Sequence, residues 1–247
     1  MSDGVRFFSA SPLSVIAIIL LIGLVILIIP LLILGVIGAA FTRLGFSWIS
    51  ALAIVLLMIS GSFVNIPVYR IRRDMIRMAP AEASVYGGYA PPEPSSVWDT
   101  TISLNLGGAI IPVCVSLYIV YQAILIIGTS LLFSVCVGII LVSTVTYVST
   151  RIVPGAGIQV SLIIPGLTAL LAGLLLAGGA GLTAAVTAFV SGTAGTLLGG
   201  NIAQLFRIKD LDVPSVSIGG AGTFGAVFIC CILPALVALP GYFVRLN

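Results

Sequence analysis

Residues 14–40 read SVIAIILLIGLVILIIPLLILGVIGAA, without one charged side chain. A helix rises about 1.5 Å per residue, and the hydrocarbon of a bilayer is about 30 Å thick. The run is therefore long enough to cross a membrane with tilt, with Pro30 the expected kink. It exceeds the roughly 7–15 apolar residues of a secretory signal, although Gly38-Ala39-Ala40 offers the small residues of a cleavage site.

The rest of the chain repeats this pattern. Sixty per cent of its 247 residues are hydrophobic and seven per cent are charged, whereas a soluble domain carries about 25% charge. Apolar runs fall at about residues 13–41, 48–66, 102–120, 131–148, 160–177, 182–206 and 216–243. None of the ten basic and seven acidic residues lies inside them. The expected fold is an all-α, polytopic transmembrane bundle of about seven spans. It forms one domain over residues 1–247. Asn105, Gly107-Gly108 and Pro112 break span 3, and a glycine run and Pro234 break span 7.

Loop charge sets the expected orientation. With the N-terminus inside, Arg6, Arg70, Arg72, Arg73, Arg77, Arg151, Arg207 and Lys209 are cytoplasmic, and only Arg43 and Arg245 are outside. This bias follows the positive-inside rule and an odd number of spans. The expected location is the cell (plasma) membrane, and the bilayer is the first partner. A net charge of +3 is too small to suggest nucleic acid. Composition is compatible with an oligomer.

Residues 67–101 read as a cytoplasmic loop. Its start places Ile71, Met75 and Met78 at helical spacing between Arg70, Arg72, Arg73 and Arg77. Two readings stand: a short helix on an anionic leaflet, or arginines that only fix topology. The Pro-rich stretch around Pro91-Pro92-Glu93-Pro94 reads as a tether.

Chemistry at membrane depth is limited to neutral groups. There is no histidine, so catalytic and metal-ligating sets are not expected, nor is a cofactor. Cys114, Cys136, Cys230 and Cys231 read as small buried hydrophobes. Asn65, Asn105, Asn201 and Gln204 all approach the cytoplasmic leaflet in this topology. Amides there either bridge helices or ring a solute. Gly219-Gly220-Ala221-Gly222-Thr223-Phe224-Gly225 opens span 7. So many glycines impede a regular helix, and in lipid the freed backbone must be buried in protein or line a cavity. The candidate solute residues are Asn65, Asn105, Asn201, Gln204, Gly222, Thr223 and Gly225.

Five strings together resemble the prokaryotic membrane family called domain of unknown function 1614: GSFVNIP at 61–67, NLGGAIIP at 105–112, VPGAGI at 153–158, GTLLGGN at 195–201 and SIGGAGTFGAVF at 217–228. The last is the most specific. The family pattern usually carries an aspartate at the position of Asn201 and another at that of Gly225. Such a pair is similar to the arrangement of presenilin-type intramembrane aspartyl proteases. A pair of that kind works by sharing a proton. Neither residue here can ionise, so the resemblance implies a member that does not cut peptides. Three functions follow as expectations: binding or passage of a small neutral solute through a cytoplasm-facing cavity, a protease-like fold that binds a transmembrane helix without cutting it, or a scaffold acting through residues 67–101.

Overall fold

The computed structural model describes residues 12–73, 98–153, 157–208 and 215–237. The chain is mostly helical. Helix α1 (Pro12–Arg43) runs unbroken through Pro30. Helix α2 (Trp48–Gly61) starts where the Ser47 hydroxyl accepts the Ser50 N–H at 3.2 Å, an N-cap that satisfies one otherwise free donor.

The expectation of an all-α chain is corrected here. Strand β1 (Asn65–Arg73) pairs antiparallel with β2 (Trp98–Asn105). Strand β5 (Ser215–Ile218) lies parallel to β2 on its other side, giving the order β1-β2-β5. A smaller hairpin joins β3 (Arg151–Val153) to β4 (Gly157–Gln159). The apolar residues that had extended span 2 to residue 66 and started span 3 at residue 102 are thus partly strand. Pro67 lies on the edge strand β1, where a missing N–H is tolerated, and the register shifts between Pro67 and Tyr69. Arg70, Ile71 and Arg72 are in this strand, so no helix begins there. Met75, Arg77, Met78 and the proline-rich tether fall outside the described residues.

A five-residue π-helical turn (Leu106–Ile110) leads from β2 into α3 (Ile111–Ile127). Gly128 ends α3 at φ 95°, a conformation glycine adopts without steric cost. Helix α4 (Leu131–Ser149) returns, followed by α5 (Ile164–Leu176) and α6 (Leu182–Leu197). A second π-helical turn (Leu198–Ile202) and the short α7 (Leu205–Ile208) extend α6. After β5 come α8 (Phe224–Ile232) and a 3-10 turn (Leu233–Leu236). Spans 5 and 7 are therefore shorter as helices than their apolar runs.

Besides the long α1, three segments among the described residues are long and apolar enough to cross a bilayer: Leu106–Ile127, Leu131–Ser149 and Leu182–Arg207. Their burial separates them: within one apolar 18-residue stretch of each, 83% of the last is buried, against 28% of each of the others. Helix α6 is therefore the core, contacted by α3, α4, α5 and α8. Small residues make this possible. A Cβ on Gly195 would come within 2.7 Å of the Val142 side chain, one on Gly138 within 2.9 Å of Ser191, and one on Gly192 within 2.9 Å of Cys230. The outer helices expose Leu117, Tyr121, Phe133, Ile140 and Leu175. Cys230 and Cys231 are buried as expected, but Cys114 and Cys136 are exposed, because hydropathy reports that a residue is apolar and not which way its helix turns it.

The two ends of α6 fix the ends of the bundle. At one end Thr223 meets Asn201; at the other the Gly181 N–H donates to Val237 O at 2.9 Å. The three-stranded sheet lies at the Asn201 end.

Candidate functional site: an amide junction at the sheet end

Three interruptions of helical structure meet at the sheet end. The first is built by Asn105, the last residue of β2. Its Oδ1 accepts the Gly108 N–H at 2.8 Å, capping the first π-helical turn. Its Nδ2 donates to Ser62 O at 2.6 Å and to Asn65 Oδ1 at 3.0 Å. The Ser217 hydroxyl, on β5, donates to the same Asn65 oxygen. One side chain from each of the three strands is thereby tied together. Register explains the meeting: Asn65 is opposite Asn105, and Ser103 is opposite Ser217.

The second interruption is the π-helical turn that carries Asn201. Asn201 Nδ2 donates to Thr223 Oγ1 at 3.0 Å, and the Gly219 N–H donates to Asn201 Oδ1 at 3.3 Å. The backbone donor of Gly219 requires an acceptor, which assigns the amide orientation. The third interruption is the loop between β5 and α8, to which both of these partners belong.

Gly108 and Gly219 join the two halves. A Cβ on Gly108 would run into the Gly219 carbonyl oxygen, and one on Gly219 would come within 2.5 Å of the Gly108 carbonyl carbon. Gly219 also has φ 74°. The result is one continuous path of contacts: Thr223, Asn201, Gly219, Gly108, Asn105, Asn65, Ser217.

Gln204 belongs to the edge of this region. Its Nε2 donates to Tyr147 O at 2.9 Å, and its Oε1 accepts from Arg207 Nη1 at 3.1 Å. The Arg207 guanidinium lies 5.8 Å from the centre of the Tyr147 ring, within cation–π range. Gly222 is exposed, and its carbonyl accepts the Val160 N–H at 2.9 Å. Gly225 lies one step into α8, where a Cβ would approach Leu162 Cδ1 to 2.7 Å.

Asn105, Asn201, Gln204 and Thr223 are fully buried, while Asn65 is exposed. Among the described residues no charged side chain is buried, and no group of three His, Cys, Asp or Glu could hold a metal ion. The chemistry available at the junction is hydrogen bonding by neutral dipoles. A depression of about 280 Å³ lies at the other end of the bundle, bordered by Ile126, Ile127, Gly181 and Thr183.

Sequence reasoning had named Asn65, Asn105, Asn201 and Thr223, and the structure brings them into the junction. It had missed Ser217 and the role of Gly108 and Gly219. A signal was present: Leu106-Gly107-Gly108-Ala109-Ile110 and Leu198-Gly199-Gly200-Asn201-Ile202 share the pattern Leu-Gly-Gly-x-Ile, and each is a π-helical turn. Such turns concentrate at functional sites.

A family model described as protein of unknown function (DUF1614) matches residues 57–237. The chain belongs to this family. The match covers every residue of the junction, from Ser62 to Thr223. No curated protein and no solved structure matches the chain, so membership in DUF1614 is shown and a protease likeness is not.

Proposed function

We propose that this DUF1614 member is a multi-pass protein of the cell membrane that binds or passes a small neutral solute at the amide junction. The observation that carries this reading is the convergence of three fully buried neutral hydrogen-bonding side chains, Asn105, Asn201 and Thr223, with three breaks in helical structure. Irregular backbone at membrane depth is costly unless it is buried in protein or lines a cavity, and broken helices form solute sites in many transporters. In this reading α1 to α6 and α8 make seven crossings. The N-terminus and the sheet end are cytoplasmic, because Arg70, Arg151 and Arg207 all lie at that end.

The amides here are all hydrogen-bonded within the protein, as in a closed site: Asn105 to Asn65, Asn201 to Thr223 and Gln204 to Tyr147 O. Opening exchanges these bonds for bonds to a solute. A neutral hydrogen bond contributes a net ~1 kcal/mol, so a solute with donors and acceptors at matching positions offsets most of the cost. Asn201 and Thr223 are the exchange pair: they join α6 to α8 directly, and the Gly219–Thr223 loop lets one move relative to the other. A charged solute would meet no counter-charge and lose its hydration.

The test uses proteoliposomes containing the full chain and a panel of neutral solutes, polyols and small amides among them. Osmotic swelling should be faster than in protein-free vesicles for at least one solute. Thr223→Val and Asn201→Leu should remove the difference. Permeability equal to protein-free vesicles across the panel, together with no thermal stabilisation by any solute, would refute the proposal.

One observation supports a second reading, a helix-binding protein that does not cut. Helices α6 and α8 meet at Asn201 and Thr223, two residues before Gly225. Asn201→Asp combined with Gly225→Asp would place two carboxyls on these neighbouring elements. Cleavage of a model transmembrane peptide by that double variant supports this reading, and absence of both binding and cleavage removes it.

A further inference from the structure

Helix α2 has 14 residues, or about 21 Å at 1.5 Å per residue. This is short of the ~30 Å hydrocarbon layer. Its exposed residues Ile49, Leu56 and Leu57 make an apolar face. That face does not stop where the helix stops. Phe63 is 82% exposed, Val68 60% and Tyr69 64%, and Val64 and Ile66 are exposed as well. The exposed apolar surface continues along the turn and the first half of β1, then changes abruptly at Arg70, which is exposed. Positions 72 and 73 of the same strand are also arginine, and β1 contains no acidic residue.

We propose that β1 is a membrane-surface strand, with residues 63–69 at the boundary between acyl chains and headgroups, exposed Arg70 in contact with anionic phospholipid headgroups, and the two further arginines of the strand sequence adding to its positive charge. Tyrosine is favoured at this depth, and arginine pairs with phosphate through a planar fork of donors. Other occupants fit less well. A second copy pairing through β1 would bring arginines against arginines, and like charges on opposing strands repel. An extended peptide adding to the free edge would meet Pro67, which has no N–H, and the register shift at Pro67/Tyr69; both features discourage strand addition. A leaflet requires no backbone pairing and matches both the apolar half and the basic half.

The test reads the lipid beside β1. In the full chain, Trp48→Phe and Trp98→Phe remove the native indoles and Tyr69→Trp introduces one. The protein is placed in nanodiscs containing brominated phosphatidylglycerol or brominated phosphatidylcholine, and quenching gives the relative occupancy of the two lipids. Each basic residue near the surface contributes about a fivefold preference for anionic lipid. Phosphatidylglycerol should therefore be enriched by tenfold or more. Arg70→Gln should lower the enrichment about fivefold and Arg70→Lys should keep most of it. The triple change to Gln at 70, 72 and 73 should abolish it. Equal quenching by both lipids would overturn the proposal, as would no quenching by either, the result expected if a protein partner covers the strand. Loss of enrichment on adding inorganic phosphate at matched ionic strength would also overturn it, by identifying a soluble anion as the ligand.

Discussion

Asn201 Nδ2 lies 3.0 Å from Thr223 Oγ1, with neither side chain exposed, and the Asn201 Oδ1 accepts the Gly219 N–H at 3.3 Å. One amide thus satisfies a hydroxyl and a backbone donor on the segment that precedes α8. Asn201→Leu removes both partners at once. The expected loss is about 1–3 kcal/mol, the cost of leaving buried polar groups unsatisfied. Thr223→Val should cost less, because Asn201 keeps the Gly219 bond. The two changes together should cost less than their sum, with a coupling of about 0.6 kcal/mol or more. Thermal unfolding of the four proteins in one detergent measures the cycle, and strict additivity would show that the pair does not interact.

Asn105 performs a different task. It caps the first π-helical turn at Gly108 and ties β2 to Ser62 and Asn65. Asn105→Ala should therefore release the strand pair as well as the helix start. The expected loss is about 1–3 kcal/mol, with faster hydrogen exchange in β1 and β2 and little change in α4 or α5. Asn65→Ala should cost less, since Asn65 is exposed and water can replace the lost bond. Equal effects of the two changes would contradict this account.

Much of this architecture was legible in the sequence. The positions of Asn105 and of the 219–225 glycine run marked two of the three breaks, and Asn201 and Thr223 were both singled out. Their pairing was not, since it joins residues on different elements and depends on how α6 and α8 cross. The strands were missed for a physical reason. Hydropathy records whether a residue suits lipid, not whether its backbone rises about 1.5 Å per residue or about 3.3 Å. Ile66 and Val68 are as apolar as the helix before them, and only Pro67 hinted at the change. The partner that turns β2 into a central strand, β5, is more than a hundred residues away, beyond any local pattern.

Glycine positions provide a sharp contrast. A Cβ on Gly108 or on Gly107 would strike backbone atoms of Gly219 or of α2, and one on Gly199 would strike the Ser143 carbonyl. Backbone cannot swing aside as a side chain can. Gly108→Ala and Gly199→Ala should each reduce the yield of folded protein severely. Gly23 and Gly35 have open space around them; Ala there should leave stability unchanged or raise it by up to ~1 kcal/mol. Comparing monodisperse yield and melting temperature across this set tests whether the close approach, and not glycine content, holds the junction together.

The proposed orientation makes a prediction about chemical access. Ser47 is exposed in the turn between α1 and α2, and Arg151 is exposed at the sheet end beyond α4. These positions lie at opposite ends of the bundle. In a background with the native cysteines replaced, a membrane-impermeant maleimide should label Ser47→Cys in intact cells. It should label Arg151→Cys only after the membrane is opened. In the unaltered chain, Cys230 and Cys231 should resist the reagent on both sides, since both are buried beside Thr196 and Thr193 at 3.5 and 3.8 Å. Labelling of both engineered positions from the same side would break the alternation of crossings. Labelling of Arg151→Cys alone in intact cells would invert the orientation and move the amide junction to the outer face.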